Sequence, residues 1–196
     1  MIETKFFVRQ PILTGERVVL EPLTIDHLDG EVAMLADPQV RRLTGTHQTF
    51  TEERIRKFLL TRPDQHDRAD YAVLHQPDRA YLGSLALFDL DEENASMAYR
   101  IALGRTLPYG QGLGTQATRM IVDFAFDLVG LHRVHLEVYD FNRRAQRAYE
   151  KSGFGVEGRQ RDALNWDGDW HDTISMAILA TDPRPWHARP AETTRS

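Results

Sequence analysis

The most constraining part of this sequence is the stretch from residue 109 to residue 154, where a glycine-rich turn leads directly into a long helical pattern. The turn reads Tyr109-Gly110-Gln111-Gly112-Leu113-Gly114-Thr115. Glycine lets the backbone approach a ligand closely and adopt positive φ. The first N–H groups of a helix lack partners within the helix and carry the positive end of its dipole. The turn is therefore a candidate phosphate-binding site, and the alternative is a plain structural loop between a strand and a helix.

The spacing of the turn narrows the choice of phosphate compound. It lacks the lysine and the serine or threonine that end a nucleoside-triphosphate loop, so ATP is disfavoured. It also departs from the dinucleotide fingerprint, because the third glycine is at position 114 rather than 115.

The segment after the turn predicts a helix, a strand and a second helix. Gly130 is expected to end the first helix, whose apolar stripe is Ala117, Met120, Ile121, Phe124, Ala125 and Leu128. Apolar and polar residues alternate over 133–139, which predicts a strand with one buried face. The second helix is expected over residues 143–152, before Gly153.

The remaining segments predict a mixed sheet. Strands are expected at 17–23, 71–75, 82–88 and 96–103, of which the last three form an antiparallel meander, and a final hairpin pairs 156–161 with 170–179. One helix is expected after a cap at Asp26 and ends at Asp37-Pro38, and another follows a capping box from Thr49 to Glu52. The fold class is therefore α/β (α+β).

Composition sets the broad class of protein. The chain has 196 residues, of which 41% are hydrophobic, and this predicts one soluble domain, which is assigned to residues 1–180. The last 16 residues hold three prolines and end in Thr-Thr-Arg-Ser, which predicts a flexible tail at 181–196. The net charge of −5 disfavours nucleic acid as a partner. No membrane-spanning run or signal peptide is recognisable, so the expected location is cytoplasmic. The chain has no cysteines and its eight histidines lack ligand spacing, so no metal is expected.

Three stretches, taken in order, carry a family resemblance. They are Gly110 to Ala117, His132 to Asn142, and Ala148 to Phe154. Together they resemble the GNAT superfamily of acetyl-CoA-dependent N-acetyltransferases, in particular the branch with ribosomal-protein-alanine and spermidine acetyltransferases. The resemblance implies acetyl-CoA as cosubstrate. It also implies a mostly antiparallel central sheet that splays open between the strands at 96–103 and 133–139, with helices on both faces.

The resemblance further implies where the cofactor lies. The pantetheine arm is expected in the splay beside Ile101, Ala102 and Leu103, where a backbone N–H near Ile101 would polarise the acetyl carbonyl. The pyrophosphate is expected on the amides of residues 110–115. Tyr109 departs from the family pattern, which has glutamine or arginine at this position, so the CoA contacts are expected to differ there.

Three side chains are candidates for a direct role. Tyr149 matches the family's proton-donating tyrosine, and a neutral phenol with a pKa of about 10 is able to donate at neutral pH; the alternative is a core tyrosine. Asn142 matches an asparagine that contacts CoA, and the alternative is a helix N-cap, although both roles are compatible. The general base is left open. Glu137 is a candidate, as are His135 and Tyr139 on the same strand face and Glu92, Glu93 and Ser96 ahead of the other cleft strand, and the reaction without a dedicated base is a further alternative.

The sequence therefore predicts an enzyme that acetylates a primary amine, either a protein N-terminus, a polyamine or another small amine. A non-catalytic acyl-CoA-binding or regulatory protein on the same fold is the alternative. A nucleotide-binding module is a third interpretation, and assembly into a homo-oligomer is left open.

Overall fold

The computed structural model describes residues 2–104 and 110–187. The strands in these residues are β1 (Leu13–Thr14), β2 (Val18–Pro22), β3 (Ala69–His75), β4 (Tyr81–Asp91), β5 (Ser96–Leu103), β6 (Arg133–Tyr139), β7 (Gly155–Trp166) and β8 (Asp169–Leu179). The helices are α1 (Lys5–Val8), α2 (Leu28–Ala36), α3 (Pro38–Leu43), α4 (Glu52–Leu60), α5 (Leu113–Asp123) and α6 (Arg143–Glu150). None of these helices is long and apolar enough to cross a membrane.

The strands form one mixed sheet in the order β1-β2-β3-β4-β5-β6-β8-β7. Neighbouring strands are antiparallel except β5 and β6, which are parallel. The larger core lies on the face covered by α5, and a smaller core lies where α2 and α4 pack against the opposite face. The predicted fold class, with helices on both faces, is confirmed.

The sheet opens between β5 and β6. The two strands pair only at Ser96 with Arg133, Met97 with Val134 and Ala98 with His135. Beyond these pairs β5 continues along β4, and β6 continues along β8. The facing edges of β5 and β6 therefore separate, as the resemblance implied.

Two helix caps differ from the predicted ones. Thr24, rather than Asp26, caps the 3-10 turn that leads into α2, and its Oγ1 accepts the Asp26 N–H at 3.3 Å. Thr51, rather than Thr49, caps α4, and its Oγ1 accepts the Arg54 N–H at 3.3 Å. Both threonines have the extended backbone that an N-cap requires.

The Asp37-Pro38 pair ends α2 as predicted but also begins α3, which the sequence did not predict. The Asp37 Oδ1 accepts the Gln39 N–H at 2.8 Å. Pro38 occupies the first helical position, where its missing N–H costs nothing. The same dipeptide is thus a stop signal and a start signal.

The helix after the glycine turn has the predicted beginning and end but a different buried stripe. Residues 124–129 form a π-helical turn, which holds more residues than an α-helical turn and shifts the phase of the later side chains. Phe124 is buried as predicted, whereas Leu128 is 39% exposed and Val129 is buried instead. Gly130 ends the helix with φ +81°.

The predicted tail does not leave the fold at residue 181. Arg184 forms ion pairs with Asp123 at 2.9 Å and with Asp127 at 2.7 Å. The Trp186 indole N–H donates to Asp123 at 2.9 Å, and its ring packs against the larger core. Residues 184–187 therefore contact α5 and its π-helical extension, and residues 188–196 lie outside the described part of the chain.

The π-helical turn predicts that two truncations to alanine differ in how much they lower the free energy of unfolding. Phe124→Ala should lower the free energy of unfolding by about 3–5 kcal/mol because it empties a core position. Leu128→Ala should cost less than about 1 kcal/mol because the side chain is exposed. Chemical denaturation measures both losses, and similar losses would mean that Leu128 lies in the core on a regular α-helix.

Candidate active site

A cavity of about 900 Å³ lies at the opening between β5 and β6. The predicted CoA-contacting residues that the structure describes line this cavity, as do Tyr149 and Glu137; His135 does not. These lining residues are Ile101, Ala102, Leu103, Gly110, Gln111, Gly112, Leu113, Gly114, Thr115, Glu137, Asn142 and Tyr149. Tyr109 lies outside the described residues. The cavity continues onto the other face of the sheet, where residues of α2, α3 and α4 form its wall.

The glycine turn places the N-terminal N–H groups of α5 at one end of the cavity. Gly112 is the N-cap of α5 with φ +76°, and Gly110 has φ +90°. The first backbone hydrogen bond of the helix runs from the Gln116 N–H to the Gly112 carbonyl at 2.9 Å, so the N–H groups of residues 113–115 have no partner within the helix. A Cβ at Gly110 or Gly112 would meet no atom within 4 Å. Glycine is therefore required there by backbone conformation, and the space in front of the turn is open to an anion.

An arginine far away in sequence fixes the position of this turn. Arg17 donates through Nη1 to the Gln111 carbonyl and through Nη2 to the Gln111 Oε1 at 2.8 Å. Gln116 holds the same region to β2, since its Oε1 accepts the N–H groups of Arg17 at 2.9 Å and Val18 at 3.1 Å. Sequence reasoning missed this anchor because no local pattern links Arg17 to a turn more than 90 positions later.

Tyr149 lies between the cavity and the larger core. Its ring contacts Tyr99 edge-on, with centroids 6.2 Å apart, and Phe154 at 5.9 Å. The side chain is buried, and burial raises the pKa of Tyr149 above its usual value. The phenol is therefore protonated at neutral pH. Tyr149 is a core tyrosine, and it also carries the proton that a donor needs.

Asn142 is a helix N-cap, which was the predicted alternative to contact with CoA. Its Oδ1 accepts the Ala145 N–H at 3.2 Å and so caps α6. Its Nδ2 donates to the Leu43 carbonyl at 3.4 Å, which links the start of α6 to the end of α3 across the cavity. These bonds position Asn142 in the cavity wall, and its contact with CoA stays a prediction.

Glu137 lies on β6 at the open edge. Its side chain is exposed and accepts a hydrogen bond from Gln160 Nε2 at 2.9 Å. His135, two residues earlier on the same strand, has a pKa lowered by burial and by the charge of Arg133. Glu137 is therefore open to solvent and to the cavity, which is compatible with proton transfer through water.

Two buried carboxylates in the cavity wall were not predicted. Glu31 on α2 accepts a hydrogen bond from the Tyr81 hydroxyl and is 4% exposed. Asp70 on β3 is 3% exposed and forms ion pairs with Arg62 at 3.2 Å and Arg68 at 2.6 Å. Each comes from a different element, so only the tertiary fold brings them to the cavity.

One group among the described residues has the spacing of metal ligands, and it lies away from the cavity. Asp123, Asp127 and His187 offer atoms within 4.8 Å of one another. Arg184 and Trp186 already donate to these carboxylates. The group therefore serves to attach residues 184–187 to the helix.

Comparison with known proteins identifies the family. Residues 17–155 match the domain family described as acetyltransferase (GNAT) domain. The chain is 24% identical to the probable N-acetyltransferase YjcK of Bacillus subtilis over 178 residues, which cover 87% of this chain and 98% of the relative. It is 25% identical over 128 residues to the spermidine N(1)-acetyltransferase of Escherichia coli K12, covering 65% and 68% of the two chains.

A solved structure has the same fold. The spermidine N-acetyltransferase of Vibrio cholerae, in complex with CoA and spermine, superposes with a TM-score of 0.78 at 17% identity. The superposition covers 85% of this chain and 97% of the other. At this identity the likeness concerns the fold.

The buried phenols predict a cooperative alkaline transition. Burial raises the pKa values of Tyr71, Tyr99 and Tyr149 above those in the unfolded chain, so the folded state holds these protons more tightly. Their contribution to stability is complete below the unfolded pKa of about 10 and is lost as the pH rises towards the folded values. Phenolate absorbance and loss of circular dichroism should therefore change together above about pH 10. Full ionisation of all tyrosines in a protein that keeps its circular dichroism would contradict this burial.

Proposed function

The chain belongs to the GNAT acetyltransferase domain family, and from this premise and the geometry of the cavity we propose that it transfers an acetyl group from acetyl-CoA to a primary amine. One observation carries the proposal. A single cavity joins the N-terminal amides of α5, the open edges of β5 and β6, and the protonated Tyr149.

The cavity suits the two chemically distinct parts of CoA. The amides of residues 110–115 offer donors to the pyrophosphate, and Arg17 holds them in place before any ligand arrives. The pantetheine arm carries amide groups, and the separated edge of β5 offers a backbone partner beside Ile101, Ala102 and Leu103. The arm would thus lie where a further strand would pair.

The reaction needs a neutral amine to attack the thioester carbon, so that a C–N bond forms and the C–S bond breaks. Holding both reactants in one cavity makes this step effectively unimolecular, which is a large part of the rate enhancement. A backbone N–H near Ile101 would stabilise the oxyanion. The Tyr149 hydroxyl would donate to the sulfur as negative charge develops there, and the proton of the amine would leave through water, with Glu137 as the candidate acceptor.

The names of the relatives support an amine acceptor. Spermidine acetyltransferases occur among the matched sequences, and one of the matched structures contains spermine. A putative ribosomal N-acetyltransferase of Bacillus subtilis is also among the relatives. The proposed acceptors are therefore a polyamine, a protein N-terminus or another small primary amine.

Thiol release from acetyl-CoA tests the proposal. Because the chain has no cysteine, a thiol reagent reports only the CoA that the reaction releases. Amine-dependent release with at least one primary amine is expected. Tight CoA binding without release across a broad amine panel would indicate an acyl-CoA-binding protein instead. Heat protection by ATP or NAD but not by CoA would indicate a nucleotide-binding module.

Tyr149→Phe tests the proton donor. We expect kcat to fall roughly 10²-fold, with little change in the Kd for acetyl-CoA, because only the donated proton is lost. Tyr71→Phe is the matched control, since the Tyr71 hydroxyl donates to the Pro11 carbonyl at 3.1 Å and does not line the cavity. An unchanged kcat in Tyr149→Phe would remove this residue from the mechanism.

Gly112→Val tests the pyrophosphate site. Bulk in front of the turn should weaken CoA binding by roughly tenfold or more, which calorimetry measures. Gly168→Val is the control, because Gly168 also has positive φ and open space around it but lies in the β7–β8 turn, outside the cavity wall. Normal CoA affinity in Gly112→Val would place the pyrophosphate elsewhere.

A further inference from the structure

The part of the cavity beyond the opening, on the sheet face that α2 and α4 cover, has a floor of small side chains. We refer to this part as the acceptor side, and its floor includes Ser84, Ala86 and Ala102. In the register of the sheet, Asp70 pairs with Ala86, and Ala86 pairs with Arg100. Asp70 and Arg100 therefore lie in one cross-strand row on either side of a small residue, and both line the cavity.

The acceptor side carries an excess of positive charge. Asp70 already has two cationic partners, Arg62 at 3.2 Å and Arg68 at 2.6 Å. Arg100 is a third guanidinium in the field of Asp70 and Glu31. With Arg54 of α4, which also lines this wall, four arginines stand against two carboxylates there.

Neither Arg54 nor Arg100 has a described carboxylate within the 4.0 Å of an ion pair. Arg54 donates to Gln48 at 3.2 Å and lies over the Phe50 ring, whereas the Arg100 Cζ lies 5.3 Å from the centroid of the Phe88 ring. The Arg68 Cζ lies 5.9 Å from the same ring, so two like charges share one neighbourhood. Arg100 is exposed and lines the cavity, so its guanidinium is accessible to a ligand there. A guanidinium that is open to the cavity and has no carboxylate partner is able to bind an anion that enters it.

The position of Arg100 relates this anion to the reacting amine. Arg100 comes two residues after Ala98, the last β5 residue that pairs with β6, so it lies roughly 7 Å along the strand from the point where the sheet opens. It directly precedes Ile101, beside which the acetyl group is proposed to lie. An anion on Arg100 and the amine that attacks the acetyl carbon are thus close enough to belong to one molecule, with only a few bonds between them.

We propose that Arg100 binds a carboxylate of the acceptor, so that the substrate is an amine with a carboxylate a few bonds away. The guanidinium fork matches a carboxylate in two parallel hydrogen bonds. Such an acceptor is either a free amino acid or a peptide whose first residue is acidic. A polyamine would instead bring a second cation beside an uncompensated arginine. This inference rests on the proposed acetyl transfer, because it names the acceptor of the same site.

Matched pairs of acceptors test the proposal. The first arm compares a panel of free amino acids with their amides, and the second compares the blocked dipeptides Asp-Ala-amide and Asn-Ala-amide, with spermidine as the polyamine. Binding to the CoA-loaded protein is measured by calorimetry, and kcat/KM is measured for acetyl transfer. In one of these two comparisons, the acceptor with the carboxylate should bind more tightly than the matching amide, by roughly tenfold or more.

Variants assign the preference to one residue. Arg100→Gln should abolish the preference for the carboxylate, and Arg100→Lys should keep part of it because the charge remains and the fork is lost. Arg56→Gln is the control for loss of charge, since Arg56 is exposed on α4, pairs with Glu52 at 2.9 Å and does not line the cavity. Equal binding of the carboxylate and the matching amide, tighter binding of spermidine, or a preference that survives in Arg100→Gln would overturn the proposal.

Failure of the proposal and failure of the proposed function give different results. A carboxylate preference in binding without acetyl transfer would sink the acetyltransferase activity and support the role of Arg100. Acetyl transfer with equal kcat/KM for both members of a pair would support the acetyltransferase activity and overturn the role of Arg100. If Arg100→Gln does not fold, the wild-type comparison and Arg100→Lys decide the matter.

Discussion

The early separation of β5 from β6 is the constraint on which the rest of the structure depends. The strands form three registered pairs and then part, while each keeps its other neighbour, β4 or β8. Beyond Ala98 and His135 their facing backbone groups have no partner in the sheet, and such groups need water or a ligand. The cavity, the aromatic contacts of Tyr149 and the link from Asn142 to Leu43 all lie at this opening.

The opening divides the site into two chemically different halves. At the α5 end, the proposed CoA site offers backbone N–H groups and the positive end of a helix, held by Arg17. The acceptor side holds side-chain charges, of which the buried Asp70 is paired with Arg62 and Arg68, whereas Arg100 is exposed and has no ion pair with a described carboxylate. Because a buried carboxylate that loses a partner is costly, Arg62 and Arg68 belong to the stability of the fold, whereas Arg100 is available to a ligand.

The residues that the sequence predicted well belong to contiguous patterns. The glycine turn, β5, β6 and α6 could be predicted because glycine spacing, alternation and helical periodicity are local properties of the chain. The caps at Thr24 and Thr51 could not be separated from those at Asp26 and Thr49, because neighbouring residues are all good caps and tertiary packing decides between them. Leu128 was placed on the wrong face because a π-helical turn changes the period without any sequence signal.

The missed parts of the site depend on distant segments. Arg17 reaches Gln111 only because β2 packs beside the start of α5. Asp70 is close in sequence to its partners Arg62 and Arg68, but only the folded sheet brings this group to the cavity wall. The resemblance predicts the proton-donor role of Tyr149, which stays a prediction, whereas the placement of Arg100 beside Asp70 required the register of three strands.

The most direct measurement of the central claim is a crystal structure of the protein with acetyl-CoA. The predicted result is a pantetheine arm between β5 and β6, alongside residues 101–103, with the pyrophosphate on the amides of residues 110–115 and the sulfur near the Tyr149 hydroxyl. A cofactor bound elsewhere, with water in the opening between the two strands, would contradict it.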